Sequence, residues 1–206
     1  GLRLAVERAR QSNMPNDNID RAIKRAGGPG GEGGSDLAEV TYEGYSPGGA
    51  AILVLALTDN RNRAASEVRK TFDRHNSKMA EVGSVSWLFE QKGLITVEEE
   101  PQRAEEIALL AIDLGAEDFT LEDSFLELRS PLEQFESLRQ ALEAQGVVPT
   151  GAELSMVPKS SAPLDERSAE KTLRLLDRLE ELDDVQQVYT NADFPTEVLE
   201  RYKTVV

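Results

Sequence analysis

The sequence contains no cysteine among its 206 residues, and it has one histidine and one tryptophan. The absence of cysteine excludes disulfide bonds, thiolate nucleophiles and cysteine-ligated zinc sites. Any catalytic triad or histidine-based metal site would have to use His75. No apolar run approaches the ~20 residues that a membrane-spanning helix needs. These absences predict a protein of a reducing, cytoplasmic compartment that does not span a membrane.

The net charge is −15, which on its own disfavours contact with a polyanion such as nucleic acid. The acidic residues are concentrated in the later part of the chain. Residues 1–36 have six Lys and Arg against five Asp and Glu, and residues 37–92 have seven of each. Residues 93–162 have four against fifteen, and residues 163–206 have six against eleven. This polarity predicts that the first part of the molecule faces phosphates while the acidic part faces solvent or protein.

The first 36 residues are predicted to form a helical hairpin followed by a linker. The chain begins at Gly1 within a helix-like pattern, so we expect that a further segment precedes it. A second helix starts after Pro15 and has one apolar face of Ile19, Ala22, Ile23 and Ala26. Residues 27–36 contain six glycines and one proline, which is typical of a flexible linker and predicts a domain boundary.

A mixed α+β region is predicted from residue 37 onward. Residues 39–45 have a strand-like pattern, residues 46–49 suit a type II turn, and residues 50–58 suit a strand buried on both faces. Asp59 and Asn60 can cap the helix that follows, and the 3.6-residue period of that helix would direct Ala64, Ala65, Val68 and Phe72 inward. Residues 83–97 are predicted to form two strands that turn at Lys92 and Gly93. On the first of these strands Val85, Trp87 and Phe89 would alternate into the core.

The acidic segment follows the order β-α-β-β-α-β, which is the ferredoxin-like, or α/β-plait, unit. A long helix and a strand near residues 185–190 then remain without partners of their own. Joining them to the earlier strands and helix predicts a discontinuous domain with the acidic unit inserted into it. The predicted domains are residues 1–36, residues 37–92 with 163–206, and residues 93–162. The predicted fold class is therefore α+β, with an N-terminal helical domain and two plait domains, one inserted in the other.

Basic residues after the strand at 50–58 form the main candidate functional site. Arg61 and Arg63 lie at the start of the predicted helix, where the helix dipole disfavours cations. Two properties favour a phosphate-binding face. An Arg side chain can donate two parallel hydrogen bonds to a phosphate, and the start of a helix offers backbone N–H donors to an anion. The same pattern also fits a solvated polar face, and spacing alone leaves both interpretations open. The candidate nucleic-acid-binding residues are Arg61, Arg63, Lys70, Arg74, Lys78, Arg21, Lys24 and Arg25.

No catalytic arrangement of residues is recognisable in the sequence. Ser84 and Ser86 have no neighbouring His motif, and no His, Asp and Glu set has metal-ligand spacing. We therefore predict a protein that is not an enzyme and that uses no cofactor and no metal. The sequence does not specify the oligomeric state, and a monomer is the working expectation.

Several long strings resemble the YebC family of bacteria, which includes the mitochondrial translational activator of cytochrome oxidase. The resemblance is strongest over residues 1–92 and extends across essentially the whole chain. Among these strings, Thr-Asp-Asn-Arg-Asn-Arg at residues 58–63 is characteristic of the family. The other matching stretches are at residues 2–5, 13–15, 18–23, 42–45, 47–49, 83–89, 183–186 and 188–189.

The resemblance implies three domains, with the last inserted into the middle one, and a strongly basic segment upstream of Gly1. It also implies a regulator of gene expression that acts on nucleic acid. Family members are described either as ribosome-associated factors that relieve stalling at consecutive prolines or as DNA-binding transcriptional regulators. We expect the first, with ribosomal RNA as partner, because RNA can be bound through shape and phosphates alone. Replacement of Arg61 and Arg63 by Ala is expected to weaken binding with little loss of stability.

Overall fold

The computed structural model describes residues 36–205, so the predicted N-terminal helices and the glycine-rich linker lie outside the described residues. The described chain is a mixed α/β structure with two four-stranded antiparallel sheets and one short parallel pair, in which residues 162–163 lie beside residues 192–193. Its helices are α1 (Arg61–Arg74), α2 (Pro101–Asp113), α3 (Phe135–Ala144), α4 (Glu166–Glu180) and α5 (Thr196–Val205). Its strands are β1 (Ala38–Tyr45), β2 (Ala51–Thr58), β3 (Lys78–Ala80), β4 (Phe89–Glu98), β5 (Asp118–Glu122), β6 (Phe125–Ser130), β7 (Gly151–Pro158), β8 (Ala162–Pro163), β9 (Val185–Thr190) and β10 (Ala192–Asp193).

The described residues separate into two compact units. The inserted unit is Phe89–Val157, and the discontinuous unit consists of residues 36–88 and 158–205. The discontinuous unit is interrupted after Leu88 and resumes at Pro158. These two places are adjacent, because Lys159 donates its backbone N–H to the carbonyl of Leu88 over 2.8 Å. A compact unit need not be an independently folding domain. The predicted domain limits therefore stay a prediction.

The discontinuous unit is built on a four-stranded sheet in the order β3-β1-β2-β9. The apolar sequence of β2 places it between two neighbours, with Ile52 and Val54 fully buried, as the predicted two-sided burial requires. Helix α1 buries Ala64, Val68 and Phe72, which confirms the inward face predicted from the 3.6-residue period. Helix α4 adds a second apolar stripe, which includes the fully buried Leu175, Leu176 and Leu179.

Two glycines determine the packing of β1 and the turn that follows it. Gly44 lies against Phe72 of α1, where an added Cβ would stand 2.6 Å from the ring, so no larger residue fits there. The predicted type II turn is confirmed by the positive φ of Gly48 (86°) and by the 2.9 Å hydrogen bond from Gly49 N to Ser46 O. The turn places β1 directly alongside β2, from Ala38 opposite Thr58 to Tyr45 opposite Ala51.

The prediction of two strands around Lys92 and Gly93 is wrong. β4 runs without interruption from Phe89 to Glu98, and Ser86–Leu88 before it form a turn of 3-10 helix. Gly93 permits close packing rather than a turn, because an added Cβ would lie 2.4 Å from the ring of Phe135. The strand pattern was misleading because glycine serves both purposes and leaves the same sequence signal.

The inserted unit has the predicted element order β-α-β-β-α-β, from β4 to β7, and its strands lie in the order β5-β6-β4-β7. β4 and β5 both pair antiparallel with β6. Its core joins apolar residues of the sheet and of both helices, including the fully buried Leu126, Leu128, Leu138 and Leu142. None of the helices between residues 36 and 205 combines the length and apolar character that a membrane crossing needs.

Candidate nucleic-acid interface

The start of α1 is held by a network of hydrogen bonds and ion pairs. Asn60 is the N-cap, and its side chain accepts a 3.0 Å hydrogen bond from the backbone N–H of Arg63, which confirms the predicted cap. The Arg63 guanidinium lies 2.6 Å from Asp59 and 3.0 Å from Asp184 of the loop before β9. The hydroxyl of Thr58 also donates to Asp184 over 3.0 Å. The network therefore links the start of α1, in the first segment of the discontinuous unit, to Asp184 in its second segment.

This network explains a placement that is unfavourable in isolation. A cation in the first turn opposes the helix dipole. Two carboxylates offset this effect at Arg63, and hydrogen bonds to Asp184 and then Asp59 raise the pKa of its guanidinium. Asp184 is only 4% exposed, so Arg63 supplies positive charge to a buried carboxylate. Arg63 thus positions the helix start, and its charge is already balanced within the protein.

Arg61 differs from Arg63 although the two are close in sequence. It is the first residue of α1 and is exposed, and among residues 36–205 it has no acidic partner. Its carbonyl accepts a long, 3.5 Å hydrogen bond from the hydroxyl of Tyr42. Burial raises the pKa of Tyr42, and the charge of Asp184 raises it further, whereas Arg61 lowers it. The Arg61 guanidinium is therefore available to an external anion.

Three further cations predicted from the sequence are exposed along the same segment. Lys70 and Arg74 lie one turn apart on α1, opposite its buried face, and Lys78 begins β3. Within the described part of the chain, none of the three forms an ion pair with Asp or Glu. Unpaired cations on one helix face and on the strand that follows can contact successive phosphates of a backbone. Of the other predicted site residues, Arg21, Lys24 and Arg25 lie outside the described residues.

A second feature of this unit was not found by sequence reasoning. Glu43 of β1 is 3% exposed, and its carboxylate accepts hydrogen bonds from the backbone N–H groups of Gly83 (2.6 Å), Val85 (2.9 Å) and Ser86 (2.6 Å). These bonds hold residues 83–86 as a loop and prevent them from pairing as a strand. Burial raises the pKa of Glu43, but the three N–H groups and the side chain of Ser86 lower it, and the net result is a pKa below the ordinary value of 4.5.

The prediction that Trp87 lies in the core is wrong. Trp87 is 65% exposed, whereas Val85 and Phe89, predicted to share its face, are buried. The 3-10 turn at Ser86–Leu88 breaks the two-residue alternation and directs the indole outward. The only signal in the sequence was the run of small residues before Trp87, which suits a loop as well as a strand.

The described residues contain no group of three or more His, Asp or Glu side chains placed to hold a metal ion. The side chains that the site exposes are cations and an aromatic ring, including Arg61, Lys70 and Trp87. Such groups bind phosphates and stack on planar ligands, respectively.

The comparisons with known proteins are consistent with one another. Residues 37–192 match the family described as TACO1/YebC second and third domain. The chain belongs to this family, which confirms the resemblance that the sequence motifs indicated.

The similar proteins cover almost the whole chain. A probable transcriptional regulatory protein of Dehalococcoides mccartyi is 49% identical over 201 residues, which span 98% of this chain and 79% of the relative. A probable transcriptional regulatory protein of Chloroflexus aggregans is 50% identical over 203 residues, with 98% and 80% covered. The crystal structure of a conserved hypothetical protein from Aquifex aeolicus has a TM-score of 0.75 and 44% identity, and the match covers 96% of this chain and 81% of that one.

Proposed function

We propose that this protein is a nucleic-acid-associated regulator of gene expression that binds the ribosome. The observation that carries the proposal is the set of exposed cations on α1 and β3 that have no acidic partners among residues 36–205, namely Arg61, Lys70, Arg74 and Lys78. In a chain with a net charge of −15, cations left unpaired along one segment mark the face on which a polyanion can be tolerated.

The proposed partner is ribosomal RNA. One helix face and a short strand provide phosphate contacts, and A-form RNA is recognised largely by shape and backbone. The resemblance to the YebC family supports the finer proposal that the protein is a translation factor that relieves stalling at proline-rich stretches. It would act by binding rather than by catalysis, and in the cytoplasm.

The alternative is a DNA-binding transcriptional regulator. The names of the relatives from Dehalococcoides mccartyi and Chloroflexus aggregans support it. The same four cations could contact the phosphates of duplex DNA, since backbone contacts carry no sequence information. The two candidates therefore differ in partner and not in the surface used.

Replacing Lys70, Arg74 and Lys78 together by Ala is expected to weaken binding to ribosomal RNA and to reduce its salt dependence. Each phosphate contact contributes about 0.7–0.9 to the slope of log K against log salt, so loss of three contacts should reduce the slope by about 2–3. The measurement is fluorescence anisotropy with a labelled ribosomal RNA fragment over a series of salt concentrations.

The matched control removes the same charge elsewhere in the discontinuous unit. Arg69, Arg167 and Arg174 are exposed and are not among the proposed contacts, because Arg69 is turned about 100° from Lys70 around the axis of α1 and the other two lie on α4. Their triple replacement by Ala should leave the slope within about 0.5 of the wild-type value. Equal losses in both triple variants would show that only net charge matters, and the proposed face would be wrong.

Ribosome profiling then separates translation from transcription. In a strain without the gene, pausing at consecutive prolines should rise, and the wild-type chain should reverse it while the Lys70, Arg74 and Lys78 variant should not. Unchanged pausing together with a defined footprint on promoter DNA would favour the alternative.

We also propose that the inserted unit is an α/β-plait of the ferredoxin-like type and that the discontinuous unit is a second one. The order β5-β6-β4-β7 and the β-α-β-β-α-β sequence of elements support this for the inserted unit. The four-stranded antiparallel sheet with helices α1 and α4 supports it for the discontinuous unit.

A further inference from the structure

Two aromatic side chains of the discontinuous unit are exposed and meet at one backbone carbonyl. Trp87 is 65% exposed and donates its Nε1–H to the carbonyl of Ser84 over 3.0 Å. Tyr45 is 42% exposed, and its hydroxyl lies 3.5 Å from the same oxygen. Since both polar ends converge on one atom, the two rings are neighbours. Exposure of two adjacent large aromatics is unusual without a ligand, because each would gain free energy by burial.

The loop that presents Trp87 is fixed from below by Glu43. Three backbone N–H groups, of Gly83, Val85 and Ser86, are tied to one buried carboxylate. Val85, at the centre of this loop, is fully buried and anchors it further. A fixed loop loses little conformational entropy when a ligand binds, so the aromatic side chains are preorganised.

A cation lies beside the aromatic pair. Lys78 is directly opposite Tyr45 in the pairing of β3 with β1, which places their side chains on the same face of the sheet. Lys78 is exposed and has no ion pair within residues 36–205. The acids nearby are Glu43, whose carboxylate is buried under three N–H groups, and the exposed Glu81 of the same loop. Lys78 thus places a positive charge beside Tyr45, while Glu81 leaves one negative charge exposed near the loop.

We infer that Tyr45, Trp87 and Lys78, here called the aromatic surface, bind single-stranded RNA by stacking an unpaired base on the rings while Lys78 contacts the adjoining phosphate. This inference rests on the proposed function and adds a base-binding element to its phosphate-binding face. Base stacking on aromatic rings is how proteins recognise unpaired RNA, and a neighbouring cation suits the backbone that accompanies each base. Tyr and Trp are also enriched in protein interfaces, so the observation that favours RNA over a protein partner is the cation of Lys78 beside the rings.

The single tryptophan makes the test direct. Since Trp87 is the only tryptophan, a short oligoadenylate RNA stacked on it should quench the intrinsic fluorescence of the protein in a saturable manner. Replacement of Trp87 by Ala should weaken binding of the same RNA, measured by anisotropy, about five- to one-hundred-fold. Trp87→Phe keeps a stacking ring and should stay within about threefold of wild type.

The control variant is Leu109→Ala, which removes a large side chain that is 61% exposed in the inserted unit. It should leave RNA affinity unchanged. Because Trp87 is mostly exposed, Trp87→Ala should keep a wild-type circular dichroism spectrum and melting temperature, so a loss of affinity cannot be assigned to unfolding.

An oligonucleotide of abasic sugars with the same number of phosphates separates this inference from the proposed function. The affinity of wild type for abasic RNA should equal the affinity of Trp87→Ala for intact RNA. Replacement of Lys70 and Arg74 by Ala should reduce the affinity for both RNAs to the same extent. Equal binding of intact and abasic RNA would overturn the stacking inference and leave the phosphate-binding face standing. Unchanged RNA affinity of Trp87→Ala, together with altered self-association in sedimentation, would reassign the aromatic surface to protein contact and also overturn it.

Discussion

Replacing Glu43 by Gln is expected to lower the free energy of unfolding of the discontinuous unit by about 2–4 kcal/mol. The carboxylate accepts three backbone hydrogen bonds, and charge-assisted bonds are about twice as strong as neutral ones. A Gln amide has one acceptor oxygen, so an NH2 group would face a backbone donor. Since each kcal/mol shifts the melting temperature of a chain of this size by about 2–4 °C, thermal denaturation followed by circular dichroism will measure the loss.

The control for this change is Glu39→Gln. Glu39 lies four residues earlier on β1, faces the same side of the strand and is exposed, so its replacement should change stability by less than about 0.5 kcal/mol. If the two variants were equally stable, the three N–H bonds to Glu43 would contribute little, and the fixed loop would need another cause.

The same carboxylate makes stability depend on pH. Burial acts to raise its pKa, but the N–H groups hold it below 4.5 in the folded protein, so the unfolded chain takes up the proton more readily. The contribution of Glu43 is therefore fully present above about 4.5 and is lost as pH falls through the lower, folded pKa. The stability difference between wild type and Glu43→Gln should accordingly shrink between pH 5 and pH 3, measured by urea denaturation.

Arg63→Ala is the second change with a large expected effect, about 1–3 kcal/mol of destabilisation. It removes the cation of Arg63 from Asp184, which is 4% exposed and also accepts a hydrogen bond from Thr58, and a buried carboxylate is costly when positive charge beside it is lost. Arg63 is itself partly exposed, so water can approach and the loss is smaller than for a fully buried pair. Urea denaturation at neutral pH will measure it.

Arg61→Ala is the matched variant, since it removes the same side chain two positions away. Arg61 is exposed, so its loss should change stability by less than about 0.5 kcal/mol and should reduce RNA affinity instead. The ion pairs of Arg63 thus revise the expectation that both arginines could be removed at little cost to stability. Equal stability of the two variants would contradict the structural role given to Arg63.

The elements predicted well from the sequence are those in which one local pattern dominates. The apolar run of β2, the Asn60 cap and the buried stripe of α1 each rest on residues close together in the chain. The strands and helices of the inserted unit were found for the same reason, because hydrophobic periodicity and turn residues coincide there.

The segment before β4 was mispredicted because a distant residue determines its conformation. Glu43 is about 40 positions away from the loop it holds, and a glutamate within a strand pattern gives no sign of three backbone partners. Once that loop forms, Trp87 turns outward and Gly93 remains within a strand. That the basic residues of α1 bind nucleic acid stays a prediction. Spacing alone could not separate Arg63, which is paired with a carboxylate 121 positions away, from Arg61, which has no acidic partner among residues 36–205.

The hydrogen bond between Leu88 and Lys159 has a consequence for folding order. Bringing these two positions together closes about 70 residues of chain, which for a flexible loop costs about 4 kcal/mol of entropy. An inserted unit that has already folded, with its ends adjacent, removes most of that cost before the two halves of the host sheet meet. Early folding of residues 89–157 would therefore accelerate assembly of the sheet that joins β2 to β9.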